Sequence, residues 1–241
     1  MRLSIIIPVY NEKNTIKEIL AKIEAVKLEG VEKEIILIDD FSTDGTREIL
    51  SASGGPAAGG EDTNYKIFFQ NKNMGKGRAV KMGFEKANGD IVLIQDADLE
   101  YDPSDYPKLI QPIIEGWADA VYGSRFLKNS HSKIIYRRGY LFSRFLNWFS
   151  GFLSGLKLSD MYTCYKVFSK EAIQKIIPVI ESDRFGIDPE LTALAAKNKF
   201  RVFEIPISYY GRTYEEGKKI NWKDGLAAIW HIVRFNLLTK I

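Results

Sequence analysis

The sequence predicts an α/β fold in which a mostly parallel central sheet is covered by helices on both faces. Two observations favour this class. Short, continuously apolar segments, as expected of strands buried on both faces, alternate with segments whose apolar residues recur at helical spacing. The chain also has 241 residues, of which 45% are hydrophobic, and this is enough to bury one large core. A single domain over residues 1–241 is therefore expected.

The first half of the chain supplies four predicted strands and three predicted helices. The strands are expected over residues 3–9, 34–38, 65–69 and 90–95. The helices are expected over residues 15–26, from the cap candidates Ser42, Thr43 and Asp44 through Leu50, and over residues 76–88. Residues 51–64 contain four glycines and a proline without periodicity, which predicts a flexible surface loop. Open sheets of this class bind ligands at the carboxyl ends of their strands.

The net charge and the composition limit the classes of function that this chain is expected to have. The net charge is +3 and the pI is about 8.7, a balance too mild to indicate nucleic-acid binding by itself. Cys164 is the only cysteine, so no intramolecular disulfide can form. The apolar run before Pro8 is shorter than the core of a secretion signal, and Arg144, Lys157 and Arg234 interrupt the longest apolar stretches. We therefore expect a chain that does not span a membrane but could lie on one.

A cluster of acidic residues follows the fourth predicted strand. Asp96 and Asp98 are two residues apart and Glu100 repeats the spacing, so an extended backbone would project all three carboxylates from one face. Like charges at a strand end are tolerated where they are solvated or where a cation lies among them. Mg²⁺ and Mn²⁺ prefer oxygen ligands and bridge carboxylates to phosphate oxygens. The cluster therefore predicts a divalent metal and a diphosphate substrate.

Four motifs occur in a fixed order along the chain. They are SIIIPVYNE at residues 4–12, ILIDDFSTDGT at 36–46, DADL at 96–99 and YGSRF at 122–126. In this order and spacing the chain resembles family 2 glycosyltransferases with the Rossmann-like GT-A fold, and among them the dolichyl-phosphate and polyprenyl-phosphate mannose and glucose synthases. The resemblance covers essentially the whole chain. It implies that residues 1–120 bind the nucleotide sugar and that residues 121–241 bind the acceptor.

The resemblance also implies roles for individual residues. The nucleotide pocket is expected to be lined by Pro8, Tyr10, Glu12, Ile38 and Asp40. Among these, Asp40 is expected to hold the nucleoside end. Asp96 and Asp98 are expected to hold Mg²⁺ or Mn²⁺ together with the donor diphosphate, and with Arg125 to be catalytic. One departure is Glu100, which stands where mannose synthases often carry glutamine.

The segment between Asp119 and Asp160 contains no acidic residue. Its basic residues are Arg125, Lys128, Lys133, Arg137, Arg138, Arg144 and Lys157. The aromatic residues that interleave with them are Tyr136, Tyr140, Phe142, Phe145, Trp148, Phe149 and Phe152. This mixture is typical of an amphipathic helix at the surface of an anionic membrane. Residues 225–241, apolar through most of their circumference, either pack on the core or dock on lipid. For the basic, aromatic segment between Asp119 and Asp160 there are two alternatives. One is an ordinary core helix with a solvated basic face, and the other is a nucleic-acid surface.

A phosphate acceptor would explain how basic residues suffice for catalysis. A phosphate monoester is largely dianionic at neutral pH because its second pKa is about 6, whereas an alcohol needs a general base. Arg125 and Arg138 are the first candidates for binding phosphate. Arg212 and Lys218 lie six residues apart, as the basic pair does in the related mannose synthases, and are expected to grip the lipid phosphate or the donor diphosphate.

Asp188 and Glu190, in the sequence FGIDPEL, leave a second kind of acceptor open. By resemblance to other branches of the family, an acid in this region deprotonates a sugar hydroxyl. Pro189 follows Asp188 as the first residue of a helix would, so a helix cap is an equal alternative for Asp188.

The leading interpretation is an inverting glycosyltransferase that moves a hexose from GDP-mannose or UDP-glucose to a polyprenyl or dolichyl phosphate, with mannose favoured. We expect peripheral binding at the cytoplasmic face of a membrane and no nucleic-acid partner. Two alternatives stay open. In one, the same donor site serves a polysaccharide or another hydroxyl acceptor, and in the other the chain is a non-catalytic nucleotide-binding or membrane-scaffolding module.

Overall fold

The computed structural model describes residues 1–52, 65–133, 137–213 and 222–239, and for residues 137, 138 and 222–224 the description covers the backbone alone. The strands in these parts of the chain are β1 Arg2–Val9, β2 Glu32–Asp39, β3 Tyr65–Phe69, β4 Ile91–Ile94, β5 Ala120–Ser124, β6 His131–Lys133, β7 Lys166–Ser169, β8 Val202–Pro206 and β9 Ser208–Tyr210. The α-helices are α1 Ile16–Ala25, α2 Thr46–Ala52, α3 Lys76–Lys86, α4 Tyr106–Ile114, α5 Arg137–Ser154, α6 Lys170–Ile176, α7 Ile187–Lys197 and α8 Trp222–Val233.

The central sheet has the strand order β3-β2-β1-β4-β7-β5-β8 within the described residues. β7 is antiparallel to β4 and to β5, and the other neighbouring pairs are parallel. β6 and β9 form a separate pair of parallel strands. β4 is buried along its whole length, and so is most of β1, as their continuous apolar sequences require. The predicted α/β class with a mostly parallel sheet is confirmed.

The strands and helices predicted for the first half of the chain are confirmed, with small differences at their ends. The largest difference concerns the segment predicted as a loop over residues 51–64. Ser51 and Ala52 belong to α2, because both residues are compatible with a helix and the first glycine comes only at position 54. Residues 53–64 lie outside the described residues.

A second, smaller hydrophobic core joins α5 to α8. It consists of Leu146, Met161, Ala228 and Ile232, all buried, with partly buried residues around them. The larger core lies along the central sheet. Each of the two helices therefore buries one side against the protein.

Glu34 on β2 is buried and connects the three strands β1, β2 and β3 through polar contacts. Its carboxylate accepts hydrogen bonds from the Ser4 hydroxyl, from Lys66 Nζ at 2.5 Å and from the Asn88 amide N–H at 3.0 Å. Burial by itself raises the pKa of Glu34, but the hydrogen bonds from Lys66, Ser4 and Asn88 outweigh it and lower the pKa from 4.5 to about 2. The charged carboxylate therefore stabilises the folded state.

We expect Glu34→Gln to lower the free energy of unfolding by about 2 kcal/mol at pH 7, since hydrogen bonds to a charged group are lost. A lowered folded-state pKa gives stability that is present above the unfolded value of 4.5 and disappears as the pH falls toward about 2. The difference between wild type and variant should shrink over that pH range in urea titrations. The matched control is Glu32→Gln, whose side chain is 77% exposed. An equal loss in both variants would contradict the prediction.

Candidate functional site

The segments assigned to the donor site follow the carboxyl ends of β1, β2 and β4, which are neighbours in the sheet. Val9 at the end of β1 is in register with Asp39 at the end of β2. Shortly after each of these strands comes a non-glycine residue with a positive φ. These are Asn11 at 54°, Phe41 at 65° and Leu99 at 64°. Such strained positions cluster at functional sites, and here they mark one edge of the sheet.

Asp40 lies directly after β2 and is 3% exposed. Its carboxylate accepts hydrogen bonds from the backbone amides of Met74 at 2.6 Å and Gly75 at 2.7 Å, and from the side-chain amide of Gln70 at 3.1 Å. Burial raises the pKa of Asp40, while the two amides and the charge of Arg184 oppose that rise. Asp40 thus fixes the segment that leads into α3. Contact between Asp40 and a nucleoside stays a prediction.

The other residues predicted to line the nucleotide pocket differ in exposure. Tyr10 is 38% exposed and Pro8 is half-buried, so both present surface at the sheet edge. Glu12 is buried, and its Oε2 accepts a hydrogen bond from the Thr15 hydroxyl at 2.8 Å. The side chain of Ile38 is completely buried in the core. Contact between Ile38 and a nucleotide stays a prediction.

The acidic cluster is arranged by a turn. β4 ends at Ile94 and residues 97–100 form a turn, so the extended backbone considered from the spacing is not observed. Asp96 instead faces Lys76, the first residue of α3, whose Nζ lies 2.7 Å from Oδ1 and 2.9 Å from Oδ2. Burial alone would raise the pKa of Asp96, but the charge of Lys76 prevails and lowers it. Asp96 is therefore a carboxylate whose charge is balanced by Lys76.

Arg212 lies among the remaining acids of the cluster. Its Nη2 is 2.8 Å from Oδ2 of Asp98, its Nη1 is 3.5 Å from Oε2 of Glu12, and its backbone N–H donates to Oε1 of Glu100 at 2.9 Å. Burial and the charges of Asp96 and Glu100 raise the pKa of Asp98 to about 7, against the opposing effect of Arg212. The arginine therefore compensates only part of the negative charge.

The chemistry of this cluster fits a hard divalent cation. The guanidinium of Arg212 contacts Glu12, Asp98 and Glu100, and the charge of Asp96 also acts on Asp98. Among the described residues Lys76 pairs with Asp96 and Arg212 with Asp98, and the raised pKa of Asp98 shows that the negative charge around it is only partly compensated. No three His, Cys, Asp or Glu side chains among the described residues converge as a metal site. A cation at Asp98 would thus complete its coordination with phosphate oxygens and water, as Mg²⁺ commonly does.

Arg125, predicted to bind phosphate, follows β5 and is bound to Asp160. Its Nε lies 2.7 Å from Oδ2 of Asp160 and its Nη2 lies 2.8 Å from Oδ1. The guanidinium also lies over the ring of Tyr209, 5.0 Å from the centroid. Arg125 is thus held in one orientation, with its side chain 15% exposed. The side chain of Arg138 and the whole of Lys218 lie outside the described residues, so their phosphate roles stay predictions.

The two acids proposed as general bases both make structural contacts. Asp188 forms a buried ion pair with Lys166. Glu190 accepts hydrogen bonds from the backbone amides of Glu181 at 2.7 Å and Ser182 at 2.9 Å. α7 begins at Ile187 and its N-cap is Gly186, so Asp188 lies in the first turn of the helix and does not cap it. Pro189 is the third helical residue because the helix starts earlier than its position suggested.

An exposed apolar surface, formed by α5, α8 and the π-helix Arg234–Leu238 that follows α8, lies on the second half of the chain. Its most exposed residues are Leu141, Phe145, Trp148, Phe152, Leu226, Trp230, Leu237 and Leu238. Neighbouring aromatic rings on α5 stack along the helix, with Phe145 and Phe149 nearly parallel. Within the described residues no helix is both long and apolar enough to cross a bilayer. Large exposed apolar patches mark sites of interaction with proteins or membranes.

Three charged residues of the site were not found from the sequence. Lys76 lies between Gly75 and Gly77, and this local sequence gives no indication of an ion pair. Lys166 has the apolar neighbours Tyr165 and Val167, and a charged residue inside an apolar strand was a usable signal for a buried ion pair. Asp160, the partner of Arg125, is the first acid after the basic segment. Its position gave no indication of which arginine it would bind.

Sequence comparison identifies the family. The sequence model described as Glycosyl transferase family 2 matches residues 4–177. The glycosyltransferase AglJ of Haloferax volcanii is 30% identical over 209 residues, which are 86% of this chain and 63% of that protein. The undecaprenyl-phosphate 4-deoxy-4-formamido-L-arabinose transferase of Proteus mirabilis is 28% identical over 218 residues, which are 90% of this chain and 62% of that protein. The chain thus spans less than two thirds of the length of these relatives.

Structure comparison agrees with the sequence. Glucosyl-3-phosphoglycerate synthase from Mycobacterium tuberculosis, solved with UDP, has a TM-score of 0.73 at 17% identity, covering 99% of this chain and 81% of that one. The same enzyme with Mn²⁺, UDP and phosphoglyceric acid has a TM-score of 0.70 at 18% identity, covering 99% and 80%. At such low sequence identity, the structural similarity establishes the fold alone. This fold is the GT-A glycosyltransferase fold. The family match over most of the chain and the shared architecture establish that this chain belongs to glycosyl transferase family 2.

Proposed function

We propose that this chain transfers a hexose, mannose or glucose, from a nucleotide sugar to a polyprenyl phosphate with inversion at the anomeric carbon. In this reaction the bond between the anomeric carbon and the diphosphate oxygen breaks, and a bond to an oxygen of the lipid phosphate forms. The nucleoside diphosphate leaves with the electron pair. Support comes from the relative that bears the name of an undecaprenyl-phosphate sugar transferase.

The observation that carries the proposal is that both candidate bases are already bound to other groups of the protein. Asp188 is paired with Lys166, and Glu190 is bound to two backbone amides. Asp188 is 9% exposed and Glu190 is 1% exposed, so an incoming hydroxyl group has little access to either carboxylate. A phosphate acceptor needs no such base, since it is already largely dianionic at neutral pH. These contacts therefore favour a phosphate over an alcohol as acceptor.

The residues at the carboxyl edge of the sheet would bind the donor. Asp98, with Asp96 nearby, would hold Mg²⁺ or Mn²⁺, and the bound cation would stabilise the charge that develops on the leaving diphosphate. Pro8 and Tyr10 would contact the nucleoside, whose orientation depends on the segment fixed by Asp40. Arg125, Arg138, Arg212 and Lys218 are the cations assigned to the phosphate groups.

The exposed apolar surface of α5 and α8 would bring the acceptor to the site. Its aromatic residues suit the interface of a bilayer, and exposed basic residues of the same region suit anionic headgroups. These basic residues are Lys128, Lys133, Arg144 and Lys157. Peripheral binding at the cytoplasmic face would let the enzyme meet a lipid phosphate in the membrane and a nucleotide sugar in the cytoplasm.

The test is an incubation of the purified protein with Mn²⁺ and a short polyprenyl phosphate, with GDP-mannose and UDP-glucose in separate reactions. Mass spectrometry of the lipid fraction should show a hexosyl phosphoprenol with one donor, and EDTA should abolish it. The matched control replaces the lipid phosphate by the corresponding polyprenol, for which no product is expected. Transfer to a hydroxyl acceptor but not to the phosphate would refute the proposal in favour of a hydroxyl-directed enzyme.

Asp188→Asn separates the same two possibilities within one protein. If Asp188 has only a structural role, the variant should keep transfer to phosphate, measured per folded molecule. Asp188 would instead be identified as a base if the wild type transferred sugar to a hydroxyl acceptor at a rate that depends on the ionisation of one acid, and the variant lost this transfer.

A further inference from the structure

We propose that Arg212 and the divalent cation compete for the carboxylate of Asp98, so that binding of the cation releases the Arg212 side chain toward a phosphate group. This inference rests on the proposed function, since it presupposes the cation. It gives Arg212 a role beyond the phosphate contact expected from the sequence.

Both oxygens of Asp98 are engaged in the structure. Oδ2 accepts from Nη2 of Arg212 at 2.8 Å, and Oδ1 accepts from the backbone N–H of Glu100 at 3.1 Å. Mg²⁺ or Mn²⁺ coordinates a carboxylate oxygen at about 2.1 Å. A cation bound to Oδ2 would thus come within a few ångströms of the guanidinium, where two positive charges repel strongly in a partly buried site. Both cannot hold this oxygen at once.

The charges around Asp98 make Arg212 the group to be displaced. Lys76 contacts both carboxylate oxygens of Asp96 and therefore pairs with Asp96 and not with Asp98. Arg212 divides its contacts among Asp98, Glu12 and Glu100, with two of the three nitrogen–oxygen distances at 3.5 Å. Arg212 meets Asp98 through one contact, at 2.8 Å, and a single contact is weaker than a bidentate pair, so a divalent cation can replace it.

The backbone at Arg212 need not move. Glu100 accepts a hydrogen bond from the amide of Arg212 at 2.9 Å and another from the hydroxyl of Tyr209 at 2.9 Å, and its carbonyl accepts from the amide of Tyr210 at 2.8 Å. The segment is thus anchored while the long side chain can change its rotamer. The released guanidinium would remain beside the cation, where it can bind a phosphate oxygen of the donor or of the lipid. Cation binding would therefore precede phosphate binding by Arg212.

The direct test is the affinity for Mn²⁺ alone, measured by electron paramagnetic resonance of the free ion. Arg212→Met removes the competing charge and should bind Mn²⁺ about tenfold more tightly or better, by the size of Coulomb interactions in a partly buried site. Arg212→Lys, with a shorter reach, should fall between this variant and wild type. The control is Arg201→Met, whose ion pair with Asp119 is exposed and whose Mn²⁺ affinity should equal that of wild type. Unchanged or weaker binding by Arg212→Met would overturn the proposal.

A second measurement uses the unaltered protein and does not depend on the folding of a variant. Modification by phenylglyoxal, located by peptide mass spectrometry, should be slow at Arg212, whose side chain is 18% exposed, and should accelerate several-fold on addition of Mn²⁺. Arg201 serves as the internal reference. Equal or slower modification of Arg212 with Mn²⁺ would count against displacement. Neither measurement requires sugar transfer, so a failure here is distinct from a failure of the proposed function.

Discussion

Asp98→Ala is expected to reduce sugar transfer by about a thousandfold. Loss of a group that stabilises charge in the transition state costs on the order of 10²–10³ in rate, and Asp98 would hold both the cation and the donor diphosphate. Asp98→Asn keeps the shape and should lose activity to a similar extent. Both variants should remain folded, because burial and the charges of Asp96 and Glu100 raise the pKa of Asp98 to about 7 and thus disfavour its charged form.

The measurement is the initial rate of product formation at saturating Mn²⁺, together with the melting temperature of each variant. Asp119→Ala is the matched control, since Asp119 precedes β5 at the opposite edge of the sheet and pairs with the exposed Arg201. This control should keep nearly full activity. Near-normal turnover by folded Asp98→Ala would show that the cation is held elsewhere, and the proposed donor site would be wrong.

Lys166→Met is expected to lower the free energy of unfolding by about 3–5 kcal/mol, the usual cost of leaving one partner of a buried ion pair alone. Lys166 is completely buried, donates to the carbonyl oxygen of Thr163 at 2.5 Å and forms an ion pair with Asp188. Its ammonium also lies over the ring of Tyr122 at 5.2 Å. Removal of the ammonium would leave the carboxylate of Asp188 in the interior without its cation.

The double variant Lys166→Met, Asp188→Asn tests the cause of that loss. Because it carries no unpaired buried charge, it should be more stable than the sum of the two single effects predicts. Urea titrations of the four proteins measure this coupling. Lys170→Met, at an exposed position on α6, should change the stability by less than about 0.5 kcal/mol. If Lys166→Met resembled this control, the ion pair would be unimportant for folding.

The local pattern of the sequence was sufficient for the first half of the fold. Each strand from β1 to β4 contains a short apolar run. The helices that follow β1 and β3 have apolar residues at helical spacing, and cap candidates indicate the start of the helix after β2. These signals are carried by neighbouring residues, so they can be found without knowledge of the rest of the chain. The second half offered fewer such signals, and the insertion of β7 between β4 and β5, antiparallel to both, was not predicted.

The acidic residues of the site were also found from the sequence, because the motifs around them are specific in order and spacing. Their partners were not. Lys76 is 20 residues from Asp96, Lys166 is 22 residues from Asp188, and Arg212 is 114 residues from Asp98. Many lysines and arginines of the chain could in principle have met these acids, and nothing in the local sequence distinguishes among them.

The sequence by itself determined the fold class, the family and the acids at the carboxyl edge of the sheet. Only the tertiary structure decided which cation each acid meets, that Asp188 and Glu190 are engaged in structural contacts, and that the turn at residues 97–100 divides the acidic cluster between Lys76 and Arg212. The physical reason is that secondary structure follows from local hydrophobic periodicity, whereas ion pairing depends on which distant segments the packed core brings within a few ångströms of each other.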